Sequence, residues 1–312
     1  MTLTLLADGV ENPANLARIE EAALLLGLTY STSINGHLIA VENAPGAREI
    51  YGRSALKKDA TLAVGNERRG LSRKTLAAAD ETLVIPTLSR TVTTLNVAAT
   101  AAVAAWYVLR GSGQQARAAQ PELRRPVLLL VGEDHVEVGS SLRSAAAFGY
   151  RDVLLDDRGA GWFEGPSAIR REARAAARRH KNPLRVHRAT LDDAARFDEI
   201  LLVTPSGGGT PLQRERLVHG RRQLIIVGAA PGDMTGFAPD RVGIASLGLE
   251  PAERAPLRLV ASIALAEIAR QVGRRRPVPG RPAPRIPTYD TALEVVVGEE
   301  TLLVDPSELL GY

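Results

Sequence analysis

Short apolar runs alternate along this chain with longer stretches whose apolar residues recur at helical spacing. Leu38–Val41, Thr61–Val64, Leu83–Ile85, Val127–Val131, Val153–Leu155, Ile200–Val203 and Leu224–Val227 are runs dominated by Val, Ile and Leu. Runs this uniformly apolar predict strands buried on both faces. The helical patterns between them predict an α/β fold, with a parallel sheet covered by helices. The longest apolar stretch, Leu95 to Leu109, is broken by Asn96 and Thr100 and falls short of the ~20 residues a membrane span needs. It predicts a core helix. The opening MTLTLLADGVENP lacks a basic n-region and reaches Asp8 early, so the expectation is a cytoplasmic protein with no membrane partner.

The pattern also repeats. Residues 95–111 align without gaps on 257–273, residues 38–70 resemble 201–233, and residues 12–27 resemble 134–149. Three matched blocks in one order predict two copies of a single α/β unit, consistent with two domains in 312 residues. The expected division is a first domain over 1–111, a polar linker over 112–125 and a second domain over 126–273. A Pro/Arg-rich tail over 274–312 follows, in which LEVVV and TLLVD around Gly298–Glu299–Glu300 predict a hairpin. Only the second copy carries RDVLLDDRGAGWFEG, PSAIRREARAAARRHK and PLRVHRA after its first helix.

Composition narrows the chemistry. The chain has no cysteine, and its five histidines (37, 135, 180, 187, 219) never fall at ligand spacing, so no metal site is expected. Net charge is only +4, yet of 39 basic residues all but Lys57, Lys58, Lys74 and Lys181 are arginine, the planar fork that grips phosphate. Residues 167–181 set Arg170, Arg174 and Arg178 four apart, widened by Arg171 and Arg179, with Glu172 as the only acid. Such a stripe is either a solvated face or the footprint of RNA-backbone binding. The surplus of one sign favours RNA. Aromatics for base stacking are scarce, at 4% of the chain.

Candidate chemistry lies in the first copy. After the run Thr61–Val64 comes Gly65-Asn66-Glu67-Arg68-Arg69-Gly70, then Ile85-Pro86-Thr87, then Thr94-Leu95-Asn96 opening the long helix. Glycines at a strand's carboxyl end permit close approach of a ligand, and open α/β sheets bind ligands at that edge. Asn96 also reads as a plain helix N-cap, and Asn15 as a cap for the helix that starts near Pro13.

GNERRG, IP and TLNVA in this order resemble motifs two and three of the SpoU/TrmH branch of the SPOUT superfamily, and ENPANLARIEEAALLLG is similar to its first motif. The resemblance implies two tandem α/β-knot domains, each with a trefoil knot (an exception to the usual unknotted chain), paired as an intramolecular pseudo-dimer. It implies an S-adenosylmethionine-dependent RNA methyltransferase, mostly ribose 2′-O, acting on tRNA or rRNA. The cofactor would be held by Glu42, Asn43, Val64, Gly65, Asn66, Glu67, Ile85, Pro86, Thr87, Leu95 and Asn96, largely through their backbone.

Departures from the family pattern differ between copies. Glu21 stands at the family's arginine position in the first copy, while Asn15 is kept. In the second copy Arg143 stands at the arginine position, Glu137 replaces the asparagine, Gly228-Ala229-Ala230 replaces the glycine–asparagine–glutamate, Ile244-Ala245 replaces Ile-Pro, and Arg258 replaces Asn96. One composite site is therefore expected in a monomer. The first copy supplies the donor pocket, with Asn15, Glu67, Thr94 and Asn96, and Arg143 comes across as a clamp on a substrate phosphate. On the same alignment Asn15 faces the degenerate half, Glu67 alternatively only orders its loop, and Arg143 alternatively is a surface helix residue. Other readings are a protein that binds cofactor or RNA without turnover, and a methyltransferase acting on a base or a small natural product.

Overall fold

The structure, a computed structural model, describes residues 1–89, 92–112, 125–161, 184–215, 217, 222–272, 293–297 and 300–304. The first half contributes β1 (Leu3–Asp8), α1 (Pro13–Leu25), β2 (Thr29–Ser31), β3 (His37–Val41), β4 (Arg48–Glu49), β5 (Ala60–Gly65), α2 (Arg73–Ala78), β6 (Glu81–Val84) and α3 (Val97–Arg110). The second half has β7 (Val127–Val131), α4 (His135–Ala147), β8 (Asp152–Asp156), β9 (Arg185–Arg188), β10 (Glu199–Thr204), β11 (Thr210–Pro211), β12 (Gln223–Val227), β13 (Val242–Ser246) and α5 (Leu257–Val272), then β14 (Leu293–Val297) and β15 (Glu300–Val304).

The first sheet runs β2-β1-β5-β3-β6-β4, with every pairing parallel. From its β8 strand, the second runs β8-β7-β12-β10-β13-β11, the same order of corresponding strands, also parallel. Beyond β8 it adds β9, and then the antiparallel hairpin β14–β15, which docks through β14. The two runs singled out in the tail are β14 and β15, and they pair antiparallel. Two readings need correction. RDVLLDD is not an insertion, because β8 sits beside β7 as β2 sits beside β1; of the strands described before the tail hairpin, only β9 lacks a counterpart. Moreover β1, absent from the apolar runs above, is a buried strand between β2 and β5.

The helices explain why the halves stay together. α3 is apolar on all sides, and such a helix must be enclosed. Its Ala98, Ala99, Ala101, Ala102, Ala104 and Ala105 are buried, and these small side chains allow close approach of its neighbours α1 and α5. α5 packs in turn on α4. A single hydrophobic cluster includes residues from all four helices. Polar groups inside this seam are matched, as burial demands. The Trp106 indole Nε1 donates to Leu247 O (2.9 Å), and Tyr107 Oη donates to Glu267 (2.6 Å), which Arg270 also holds. Burial and the neighbouring Glu267 carboxylate raise the Tyr107 hydroxyl well above its ordinary pKa. It therefore stays a donor.

The seam is reciprocal. Leu88 N donates to Ala147 O (2.8 Å) at the end of α4, and Glu250 N donates to Leu25 O (3.0 Å) at the end of α1. On the alignment of the halves Leu88 corresponds to Glu250 and Leu25 to Ala147, so each bond is the image of the other.

Candidate active site

The site lies at the carboxyl edge of the first sheet. Asn66 N and O pair with Gly70 O and N (3.0 and 2.9 Å), closing the loop after β5 into a tight turn. The Asn66 side chain finishes it, donating to Gly9 O (2.7 Å) and accepting from Arg68 N and Arg69 N. Gly65 is required here, since a side chain would collide with the Gly70–Leu71 peptide. The Glu42 carboxylate braces the turn from β3 by accepting from Leu71 N (2.8 Å), and it also accepts from Asn43 N (3.1 Å). Asp8, at the end of β1, accepts from Ser72 N (2.8 Å). Burial raises the Asp8 pKa, but hydrogen bonds from Thr75 and Ser72 outweigh it and leave it lowered.

Three of the expected site residues form one chain of hydrogen bonds. Asn15 Nδ2 donates to Glu67 Oε1 (2.5 Å), and Asn96 Nδ2 donates to Asn15 Oδ1 (3.0 Å). Asn96 is also the N-cap of α3, its Oδ1 accepting from Ala98 N (2.9 Å). Asn12, not Asn15, caps α1. Asn15 is therefore free to turn inward, and it faces the loops of its own half. The expectation that it faces the degenerate half is wrong, because helix α1 packs on α3 within the same half.

Arg143 approaches from the second half. It projects from α4, half-buried, and its Nη2 donates to Thr94 Oγ1 (2.9 Å), two residues before Asn96. Ile85 and Pro86 are buried just past β6, Leu95 is buried, and Thr87 bonds Thr93 O at 3.4 Å across the third loop. Leu88 and Ser89 of that loop rest on Ala147 O of α4 (2.8 and 3.1 Å). Val64 is buried in β5. The structure thus gathers Asn15, Glu67, Thr94, Asn96 and Arg143 in one place. The arginine stripe Arg170, Arg171, Arg174, Arg178 and Arg179 lies outside the described residues.

The corresponding place in the second half is filled by charge. Glu137, at the position of Asn15, accepts from Arg258 Nε (2.9 Å) and Arg258 N (3.1 Å), and Arg258 occupies the position of Asn96. Arg18 crosses from α1 to the same carboxylate (2.9 Å) and also holds Glu21 (2.8 Å). Burial lowers the Arg18 pKa, but Glu137 and Glu21 more than offset it, so it is raised. Glu137 and Arg258 are both buried. Strand register further corrects the Ile-Pro alignment. Leu83 pairs with Val41 as Ala245 pairs with Val203, so Ile85-Pro86 corresponds to Leu247-Gly248 rather than Ile244-Ala245. Both of those carbonyls are taken by first-half side chains, Trp106 and Arg110. Arg18 was missed from sequence, although opposite charges at 137 and 258, where the first half has two asparagines, are a visible sign of an ion pair.

Among the described residues no group of three or more potential ligands is arranged for a metal, and no helix is long and apolar enough to cross a membrane. Residues 28–106 match the model of the SpoU rRNA Methylase family. A structural neighbour from Porphyromonas gingivalis, ascribed to the TrmH family of RNA methyltransferases, is 21% identical with a TM-score of 0.31. The match covers 35% of this chain and 59% of that one, so this chain spans little more than half of that protein's length. No curated protein sequence matches. The family match lies wholly within the first half of the chain, which is thus similar to SpoU-type methylases over residues 28–106.

Proposed function

We propose that the protein is an S-adenosylmethionine-dependent RNA methyltransferase that modifies a ribose 2′-hydroxyl of tRNA or rRNA at one composite site. The observation that carries this is Arg143 of the second half lying at Thr94, beside the Asn15–Glu67–Asn96 chain of the first. The chain is read as a tandem duplicate, 1–111 and 126–273, folded as an internal pseudo-dimer in a monomer. Equal strand order and the reciprocal bonds at Leu88 and Glu250 support that reading. A knotted path in the first half is supported by residues 53–56, which strap the end of α3: Leu56 N donates to Val108 O (2.9 Å) and Ser112 N to Arg53 O (3.3 Å).

The residues present fit the cofactor. Among the described residues, the second carboxylate oxygen of Glu67 accepts no hydrogen bond. A free carboxylate acceptor beside amide side chains suits a ligand carrying hydroxyl and ammonium donors. Glu42, Asn43, Val64–Glu67, Ile85–Thr87, Leu95 and Asn96 would hold it, and when bound it supplies an electrophilic methyl group. Arg143 grips the phosphate next to the target nucleotide with its two-pronged donor. That contact fixes the hydroxyl in line and steadies the negative charge that grows on its oxygen. A guanidinium does not act as a base, so the hydroxyl proton leaves to water or to a phosphate oxygen. Asn15 and Asn96 hold Glu67 in place.

Incubation with labelled methyl donor and total RNA, followed by digestion to nucleosides, tests the reading. Label on ribose is expected. Label on a base overturns the 2′-O assignment, and donor binding without transfer overturns the enzyme.

A further inference from the structure

A second polar feature lies on the first half at the opposite, amino edge of its sheet. A cleft of about 380 Å³ opens beside the edge strand β4, lined among others by His37, Arg48, Arg53, Lys57, Lys58 and Glu81. His37 and Glu81 are the first residues of β3 and β6, so the cleft sits a full strand, on the order of 16 Å, from the candidate active site. Glu81, nearly buried at its floor, is the only lining carboxylate. It pairs with Arg48 and with Arg53 (3.3 Å), and His37 lies within 3.8 Å of it. Four permanent cations thus face one carboxylate. Lys57 and Lys58 are exposed at the cleft and form no ion pair among the described residues.

A concave surface with a surplus of one charge concentrates a ligand of the opposite sign. The loop that leaves the active-site edge at Glu42 and Asn43 runs directly into β4. Most residues of this stretch, 43–49, are exposed.

We propose that this cleft is an anchor for the phosphodiester backbone of the RNA, engaged away from the methylated nucleotide, with Lys57 and Lys58 as its phosphate contacts. This rests on RNA being the substrate. Contacts of this kind position a nucleic acid without reading its sequence. They also make binding depend on salt, by about 0.7 in logarithmic slope per phosphate neutralised on a single strand.

The test is the Lys57→Glu/Lys58→Glu variant of the full chain, with binding of unfractionated tRNA measured over a salt series. Affinity at low salt should fall at least ~10-fold and the slope should shrink by about 1.4, the loss of two contacts. KM for RNA should rise while kcat at saturating RNA and donor affinity stay as in wild type. Lys57→Arg/Lys58→Arg should retain RNA affinity. RNA binding that keeps its affinity and slope in the charge-reversed variant overturns the anchor alone. Wild-type protein that binds no RNA overturns the substrate reading and the anchor with it.

Discussion

Two corresponding places in the molecule, one per half, have solved the same packing problem in opposite ways. In the first, Asn15 and Asn96 bond each other as neutral amides and leave Glu67 with an oxygen to spare. In the second, both carboxylate oxygens of Glu137 accept from Arg258, and Arg18 adds a third member from across the seam. Amides can pass a hydrogen bond onward to a ligand. A buried ion pair stays closed, because separating its members leaves a charge without water or partner. The exchange at 21 and 143 follows the same division: the guanidinium is kept where it reaches the amide site, and a carboxylate stands where it reaches the charged one.

The largest effect should come from Arg143→Ala, which removes the cation serving the amide site. kcat for methyl transfer should fall about 10²–10³-fold, with donor affinity little changed in a direct titration. Equal loss of donor binding would break the comparison. Next, donor should titrate one site per chain by calorimetry; two equal sites would mean that the ion pair does not close the second place. Breaking that pair by Arg258→Ala should destabilise the fold by about 3 kcal/mol. Glu137→Asn/Arg258→Asn, which copies the first half, should lie closer to wild type in chemical denaturation. The smallest effect is on pH. Asp8 is lowered by its hydrogen bonds despite burial, and Asp233 chiefly by its bond from Arg158. Both contribute stability above the usual carboxylate pKa of about 4, and lose it as pH falls through their depressed values. Unfolding midpoints should therefore drop on acidification, and less so in Asp8→Asn than in wild type.

Much of this was legible in the chain. The parallel α/β pattern follows from spacing, and the matched motifs point to Glu67, Thr94, Asn96 and Arg143, but not to the inward place of Asn15. What escaped detection has physical causes. β1 reads weakly because Thr4 and Asp8 interrupt its apolar run at the chain's start. Ile244-Ala245 looked like Ile-Pro because composition cannot fix strand register, whereas the hydrogen-bonded ladder does. Arg18 lies one turn from Glu21, an ordinary helical pair by spacing. Only the approach of α4 turns it toward Glu137. The inward turn of Asn15 depends on Asn12 having taken the capping role, a choice between two identical residues three apart.

The mutual backbone bonds at Leu88 and Glu250 carry a consequence for how the molecule can be taken apart. Each half lends the other a carbonyl that fixes a loop at the carboxyl edge of its sheet, so the first half made alone lacks one support of its candidate site. A protease nick between residues 113 and 124 should give two fragments that co-elute and still work, whereas the amino-terminal fragment made by itself should be inert until its sibling is added back.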